Sequence, residues 1–210
     1  MSPDDLKAAT GCAPERATAY ADQITAACDK WGVVTARQKA FFVAQCAHES
    51  ELFSVIEEDL DYSAVALCAT WPAHFRFPSA AEVDLDRFDD ARRNATKYAR
   101  NPQMIANAVY AGRMGNSLPG DGWTFRGRGL IQITGRGTYT AYYEAANANF
   151  TVDSPEFAAD SAGWFWSARK LNRFADAGDV VGCTVAINGG TNGLQSRQFL
   201  TNRALAAFKG

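Results

Sequence analysis

Arg126-Gly127-Arg128-Gly129-Leu130-Ile131-Gln132-Ile133-Thr134-Gly135 sets three glycines and two arginines within ten residues. The segment closes a longer run, Arg113 to Gly137, that also holds Gly115, Gly120, Gly122, Gly137 and Pro119. So many breakers exclude a helix, and the run is too long for an ordinary turn, so a structured functional loop is expected. Glycine there lets backbone approach a ligand closely. Extended structure is expected at Leu130 to Thr134, inside the loop, and at Val55-Ile56-Glu57-Glu58, where β-branched residues adjoin.

On either side the chain reads as helix, and the fold class is mainly α. Ser2-Pro3-Asp4 places a cap residue, a proline at the first helical position and an acid in the first turn, with Gly11 placed to stop the helix. Pro14 and Glu15 open a second helix that runs to about Trp31-Gly32. Thr35 can cap a third from Ala36 to about Phe53. Ser79-x-x-Glu82 has the form of a capping box for a helix beyond the Pro72 to Pro78 loop, and Asn101-Pro102 opens another that ends near Gly112. After the glycine-rich run, helical apolar spacing returns at Thr138 to Ala148, Pro155 to about Ala175, Asp179 to Ile187 and Leu194 to Phe208.

At 210 residues the chain can bury one substantial core or two lobes that share one. Its 47% hydrophobic and 12% aromatic content excludes a disordered chain and offers rings for stacking on sugars. Twenty-one basic and twenty-three acidic residues leave a formal charge of −2, without a basic block for nucleic acid or a membrane surface. Nowhere do about 18 apolar residues run together as a transmembrane helix would need, and the N-terminus lacks the pattern of a secretory signal. The five cysteines are scattered, odd in number and without C-x-x-C, so neither a zinc site nor a disulfide framework is expected.

Glu49 shares a face of the third helix with Phe42, Gln45, Cys46 and Phe53, which would set a carboxyl on a largely apolar surface. Burial of that kind disfavours the charged form, as a proton donor near neutral pH requires. A glycosidase needs a second carboxylate, about 5–5.5 Å away as a nucleophile or about 6.5–9.5 Å away with a water between. Were the helix to continue to Glu58, the two acids would lie about 13.5 Å apart along its axis, so it has to end near Phe53 and the acidic stretch has to fold back. Glu58 is the leading second acid, with Glu57, Asp59 and Asp61 as rivals.

Ala47-His48-Glu49-Ser50, the acidic turn ending Asp61-Tyr62-Ser63, Gly115-Asn116 with Pro119-Gly120-Asp121-Gly122, the Arg126 to Gly135 string and Ile187-Asn188-Gly189-Gly190 occur in that order. Together they resemble family 19 glycoside hydrolases, and within them the compact lysozyme-like endolysins of phages of Gram-negative bacteria. The resemblance covers the chain from about Gln38 onward. It implies a lysozyme-like helical fold of two lobes with a small extended element, forming one catalytic domain over residues 1–210 with no separate wall-binding domain. By the same resemblance Glu49 is the general acid, Glu58 the general base, Thr134 the holder of the attacking water and Gln132 a substrate contact. His48, Trp123, Tyr139 and Asn188 match substrate-binding positions, and the substrate arginine is Arg197 or Arg203. Ser50-Glu51-Leu52 departs from the glycine-containing sequence of the family, which implies a stiffer helix end and an extra acid.

The implied activity is inverting hydrolysis of β-1,4 bonds in peptidoglycan, with no metal or organic cofactor. The expected partner is the glycan strand, not nucleic acid or a stable membrane attachment, and the expected state is a monomer. Such an enzyme would be made in the host cytoplasm and act in the periplasm, reaching the wall with the help of a holin. A chitinase and a catalytically silent glycan-binding module are the alternatives. Gly127-x-Gly129 lacks the third glycine and setting of a dinucleotide site, and Cys46 and His48 point to different faces of a helix, which argues against a peptidase dyad.

Overall fold

The computed structural model of the chain describes residues 1–208. Among them are twelve helices and one two-stranded parallel ladder. The chain is interleaved between two compact units, one comprising Met1–Glu57, Gly127–Ile133 and the chain from Thr140 on, the other Glu58–Arg126 and Thr134–Tyr139.

The first unit is built around α3 (Ala36–Glu49), nine of whose fourteen residues are buried. A helix buried on nearly every side belongs at the centre of a core. Phe41 and Phe42 anchor it, the latter edge-on to Trp166 with ring centroids 5.4 Å apart. Around it lie α1 (Pro3–Thr10), α2 (Pro14–Trp31), α9 (Pro155–Ala168), α10 (Asn172–Ala177), α11 (Val180–Asn188) and α12 (Leu194–Ala207). The local start signals form as expected: Ser2 with Asp5 and Thr35 with Gln38 make capping boxes, and Gly11 closes α1 in the left-handed conformation.

Where α3 stops decides the site, and it stops at Glu49 rather than near Phe53. Ser50 ends it: its hydroxyl donates to the Cys46 carbonyl at 2.7 Å and accepts from the Phe53 amide at 3.0 Å. Such local bonding competes with the helical ladder. Glu51, Leu52 and Phe53 then adopt φ of 49°, 58° and 67°, a left-handed run that costs about 1–2 kcal/mol per non-glycine residue. Burial of the Phe53 ring against Tyr20, centroids 5.6 Å apart, offsets it. The expected stiffening by Ser50-Glu51-Leu52 is therefore overturned, because these residues unwind the helix.

Elsewhere in this unit the long helix expected from Pro155 to Ala175 divides into α9 and α10, with Lys170 at φ 54° between them. The segments expected to be extended form isolated bridges rather than strands, Glu57 with Arg128 and Arg128 with Ile133.

The second unit holds α4 (Ala64–Thr70), β1 (Phe75–Arg76), β2 (Arg93–Asn94), α5 (Ala95–Tyr98), α6 (Pro102–Val109) and α7 (Asp121–Thr124). Leu60, Leu67, Phe75, Ile105 and Val109 are central to its core. Ser79 and Glu82 pair as a capping box would, but the helix expected after them does not form. Arg76 takes the Glu82 carboxylate at 2.6 Å and ties it into the β1 to β2 connection instead. Three short helices, α4, α5 and α7, were not expected, and α7 forms inside the glycine-rich run where helix was excluded, a single turn capped by Gly120 in the left-handed conformation.

The glycine-rich run is ordered by close approach. A Cβ on Gly122 would lie 2.4 Å from the Ala106 carbonyl oxygen, so α7 packs on α6 through bare backbone. Asp121 accepts from the amides of Ser117 and Leu118, each at 3.0 Å, and from Arg136 at the start of α8 (Arg136–Ala146). The Arg136 guanidinium, ahead of those amides, holds the Asp121 carboxyl down at about 2. The carboxylate brace is thus present above the ordinary carboxylate range and is lost as pH falls toward 2.

Candidate active site

In the first unit, the end of α3 and the first turns of α12 bring together Gln45, His48, Glu49, Ser196 and Arg197. Glu49 Oε1 accepts from Arg197 Nη2 at 2.6 Å. The Arg197 side chain is 2% exposed and that of Glu49 24%, so the pair opens to solvent on the carboxylate side. Arg197 Nη1 donates to Gln45 Oε1. The apolar surroundings expected for Glu49 are corrected in one respect. Phe42, Cys46 and Phe53 are buried as foreseen, but what meets the carboxylate is a guanidinium.

His48 Nδ1 lies 3.0 Å from Ser196 Oγ. Burial first, and Arg197 second, lower the imidazole below its ordinary range, which keeps it neutral near pH 7. Its other nitrogen faces Gly193, the cap residue just before α12: a Cβ there would sit 2.4 Å from His48 Nε2, on backbone at φ +71°. Gly193→Ala is therefore expected to lower stability by about 1–3 kcal/mol and to displace the imidazole. Thermal unfolding together with a His48 ring NMR titration checks both effects.

The two arginines left open by sequence separate cleanly. Arg203 Nε donates to the Ala8 carbonyl at 2.7 Å, at the C-terminal end of α1. It serves a helix end and not the carboxylate cluster. Asn188, the last residue of α11, is exposed, and its amide donates to the Asn192 carbonyl at 3.3 Å. Gln132 is at φ 56°, and its Nε2 donates to the Gly129 carbonyl at 2.9 Å, closing the tight turn that the Arg128 to Ile133 bridge frames. Glu57 pairs with the buried Arg128 at 3.1 Å, an ion pair that also includes Asp153 at 3.3 Å.

In the second unit, Glu58 Oε2 accepts from the Tyr110 hydroxyl at 2.6 Å. Burial and the Glu58 carboxylate raise the Tyr110 hydroxyl well above its usual range, so it stays a donor. The rivals to Glu58 are committed elsewhere: Asp61 pairs with Arg100 at 2.8 Å, and Asp59 accepts from the Asp61 amide at 2.8 Å. Thr134 is half-buried just before Gly135, whose amide donates to the Phe125 carbonyl at 2.8 Å.

Two expected substrate contacts lie in this unit. Tyr139 is buried, its hydroxyl donating to the Arg126 carbonyl at 2.8 Å and its ring edge-on to Phe125, which makes it a core residue. Trp123 is half-buried with the Arg126 guanidinium 3.6 Å from its ring centre, so one face is already covered. Tyr110, Ser196 and the Gln45 amide, which bind the candidate residues, were not among the expected site residues. For Gln45 a signal existed, as a polar residue four positions before Glu49 on an apolar face.

No family model matches the chain. A protein of Haemophilus influenzae (strain ATCC 51907 / DSM 11121 / KW20 / Rd), described as a glycosyl hydrolase family 19 domain-containing protein, is 37% identical over 180 residues, spanning 83% of this chain and 82% of the relative. Among solved structures, chitinase C from Streptomyces griseus HUT6037 aligns with a TM-score of 0.59 at 16% identity, covering 99% of this chain and 76% of that one. At so low an identity the second likeness bears on fold alone, a mainly helical, lysozyme-like one.

Proposed function

This chain belongs to glycosyl hydrolase family 19, and from that premise we propose that it is an endolysin that hydrolyses the β-1,4 bonds of peptidoglycan by inversion. Glu49 donates a proton to the glycosidic oxygen, while Glu58 removes one from a water that Thr134 helps to hold, and that water attacks the opposite face of the sugar. The observation that carries the reading is the Glu49 carboxylate at the open end of a buried helix, held at 2.6 Å by a buried arginine. It is a carboxyl group fixed by its arginine, with one side open to solvent where a bound glycan can reach it. His48 and Asn188 are the substrate contacts on the same unit, and the tight turn carrying Gln132 offers another.

Peptidoglycan ranks above chitin because the motif set resembles that of compact endolysins. The enzyme acts as a monomer on the wall in the periplasm, with a holin opening its route. The chitinase alternative draws on the structural neighbour, itself a chitinase. Purified glycan strands and chitin oligomers, digested in parallel and read by mass spectrometry and anomeric NMR, separate the readings. New reducing ends on peptidoglycan with inverted configuration are expected. Cleavage of chitin alone would make the protein a chitinase, and binding without new ends a silent glycan-binding module.

A further inference from the structure

Gln45 lies four residues before Glu49 on α3 and is completely buried. Its amide oxygen accepts from Arg197 Nη1 while Arg197 Nη2 holds Glu49, so one guanidinium spans two side chains on one face of α3. Arg197 offers only donors, which fixes the orientation of the amide with its oxygen toward Arg197. Gln45 Nε2 and Arg197 Nε have no hydrogen-bond partner among the described residues. Leaving buried donors unpaired costs about 1–3 kcal/mol each, so a packing role alone would favour an apolar residue at this position. An acidic residue would also hold Arg197, but it would draw the guanidinium charge away from Glu49.

We infer that Gln45 is a positioning residue: a neutral acceptor that locks Arg197 in place while leaving its positive charge committed to Glu49. The inference rests on the acid role proposed for Glu49. Gln45 is sealed from solvent and acts only through Arg197.

The groups around Glu49 leave this charge balance to Arg197. His48, its neighbour on α3, is held neutral by burial and by Arg197. The thiols of Cys28 on α2 and Cys183 on α11 are pushed up to about 12 by burial, and that of Cys46 on α3 is also raised by burial, so all three stay uncharged. The α1 helix contributes the apolar Leu6 and Ala9 to the same core. Asp176 of α10 is taken up by Gln38, toward the other end of α3.

The test compares wild type with Gln45→Glu and Gln45→Leu, by carbon NMR titration of the Glu49 carboxyl and by kcat and KM on glycan. Gln45→Glu keeps the acceptor but adds a negative charge beside the acid. The Glu49 titration midpoint is expected to rise by about one pH unit, and the limb on which activity falls with rising pH should move up with it. Gln45→Leu removes the hold, and kcat is expected to fall about tenfold with KM unchanged, as for an interaction made only in the transition state. Identical Glu49 titration in wild type and Gln45→Glu would overturn the inference, and that arm decides alone should Gln45→Leu fail to fold. If the wild type cleaves no glycan, the functional proposal fails, while the titration still reports whether Gln45 governs Glu49.

Discussion

Glu49→Gln is expected to lower the rate of glycan hydrolysis by about 10²–10⁴-fold, the usual contribution of a positioned general acid. Glutamine keeps the size and the carbonyl oxygen, so it can still accept from Arg197 Nη2, now at 2.6 Å from the carboxylate. It cannot release a proton to the leaving oxygen. Substrate binding, measured on the inactive variant by pull-down with stripped walls, should persist, which separates a chemical defect from a folding one. Glu58→Gln is expected to lose activity over the same range, because a base that activates water is as hard to replace. Glu57→Gln serves as the contrast. Its carboxylate belongs to the ion pair with Arg128 at 3.1 Å, so that change should lower thermal stability and spare most of the activity. Full activity in Glu49→Gln would sink the assignment of the acid, and loss in Glu57→Gln with retention in Glu58→Gln would exchange the two bases.

What could be read in the sequence was what short-range chemistry decides. The starts of α1, α2 and α3 follow from Ser2, Pro14 and Thr35, each of which acts within three residues of itself. The end of α3 was not legible, because a serine bonding back to the Cys46 carbonyl and a phenylalanine buried against Tyr20 together outweigh a periodicity that runs on to Phe53. Ser79 and Glu82 failed for the same kind of reason: the pairing formed, but Arg76 recruited it to a turn. In the candidate site the motifs single out Glu49 and Glu58, while the side chains that bind them carry no such signal. Tyr110 is 52 residues from Glu58 and Arg197 is 148 residues from Glu49, and no local spacing connects residues so far apart. Tyr139 and Trp123 show the same limit, since matching a motif position says nothing about whether a hydroxyl or a ring face already has a partner within the fold.

Arg197→Met is the change expected to harm stability most, and activity with it. Removing one member of a buried ion pair costs about 3–5 kcal/mol when the other is left without compensation. Glu49 is 24% exposed and can draw water to itself, which argues for the lower end, about 3 kcal/mol. For a chain of this size that corresponds to a fall in Tm of about 6–12 °C. The buried Gln45 oxygen loses its donor at the same time. Activity should fall at least a hundredfold, because the carboxylate is no longer held against the end of α3. Arg197→Lys is not a conservative rescue, since a single ammonium cannot reproduce the two-armed grip on Gln45 and Glu49. Arg203→Met, six residues further along α12, removes only a cap on the α1 carbonyls and is expected to cost less than about 1 kcal/mol with activity retained. Calorimetry and initial rates on the three variants decide the matter. Equal damage from Arg197→Met and Arg203→Met would mean that α12 matters only as a packed helix, whereas loss confined to position 197 would tie the chemistry of Glu49 to the guanidinium that holds it.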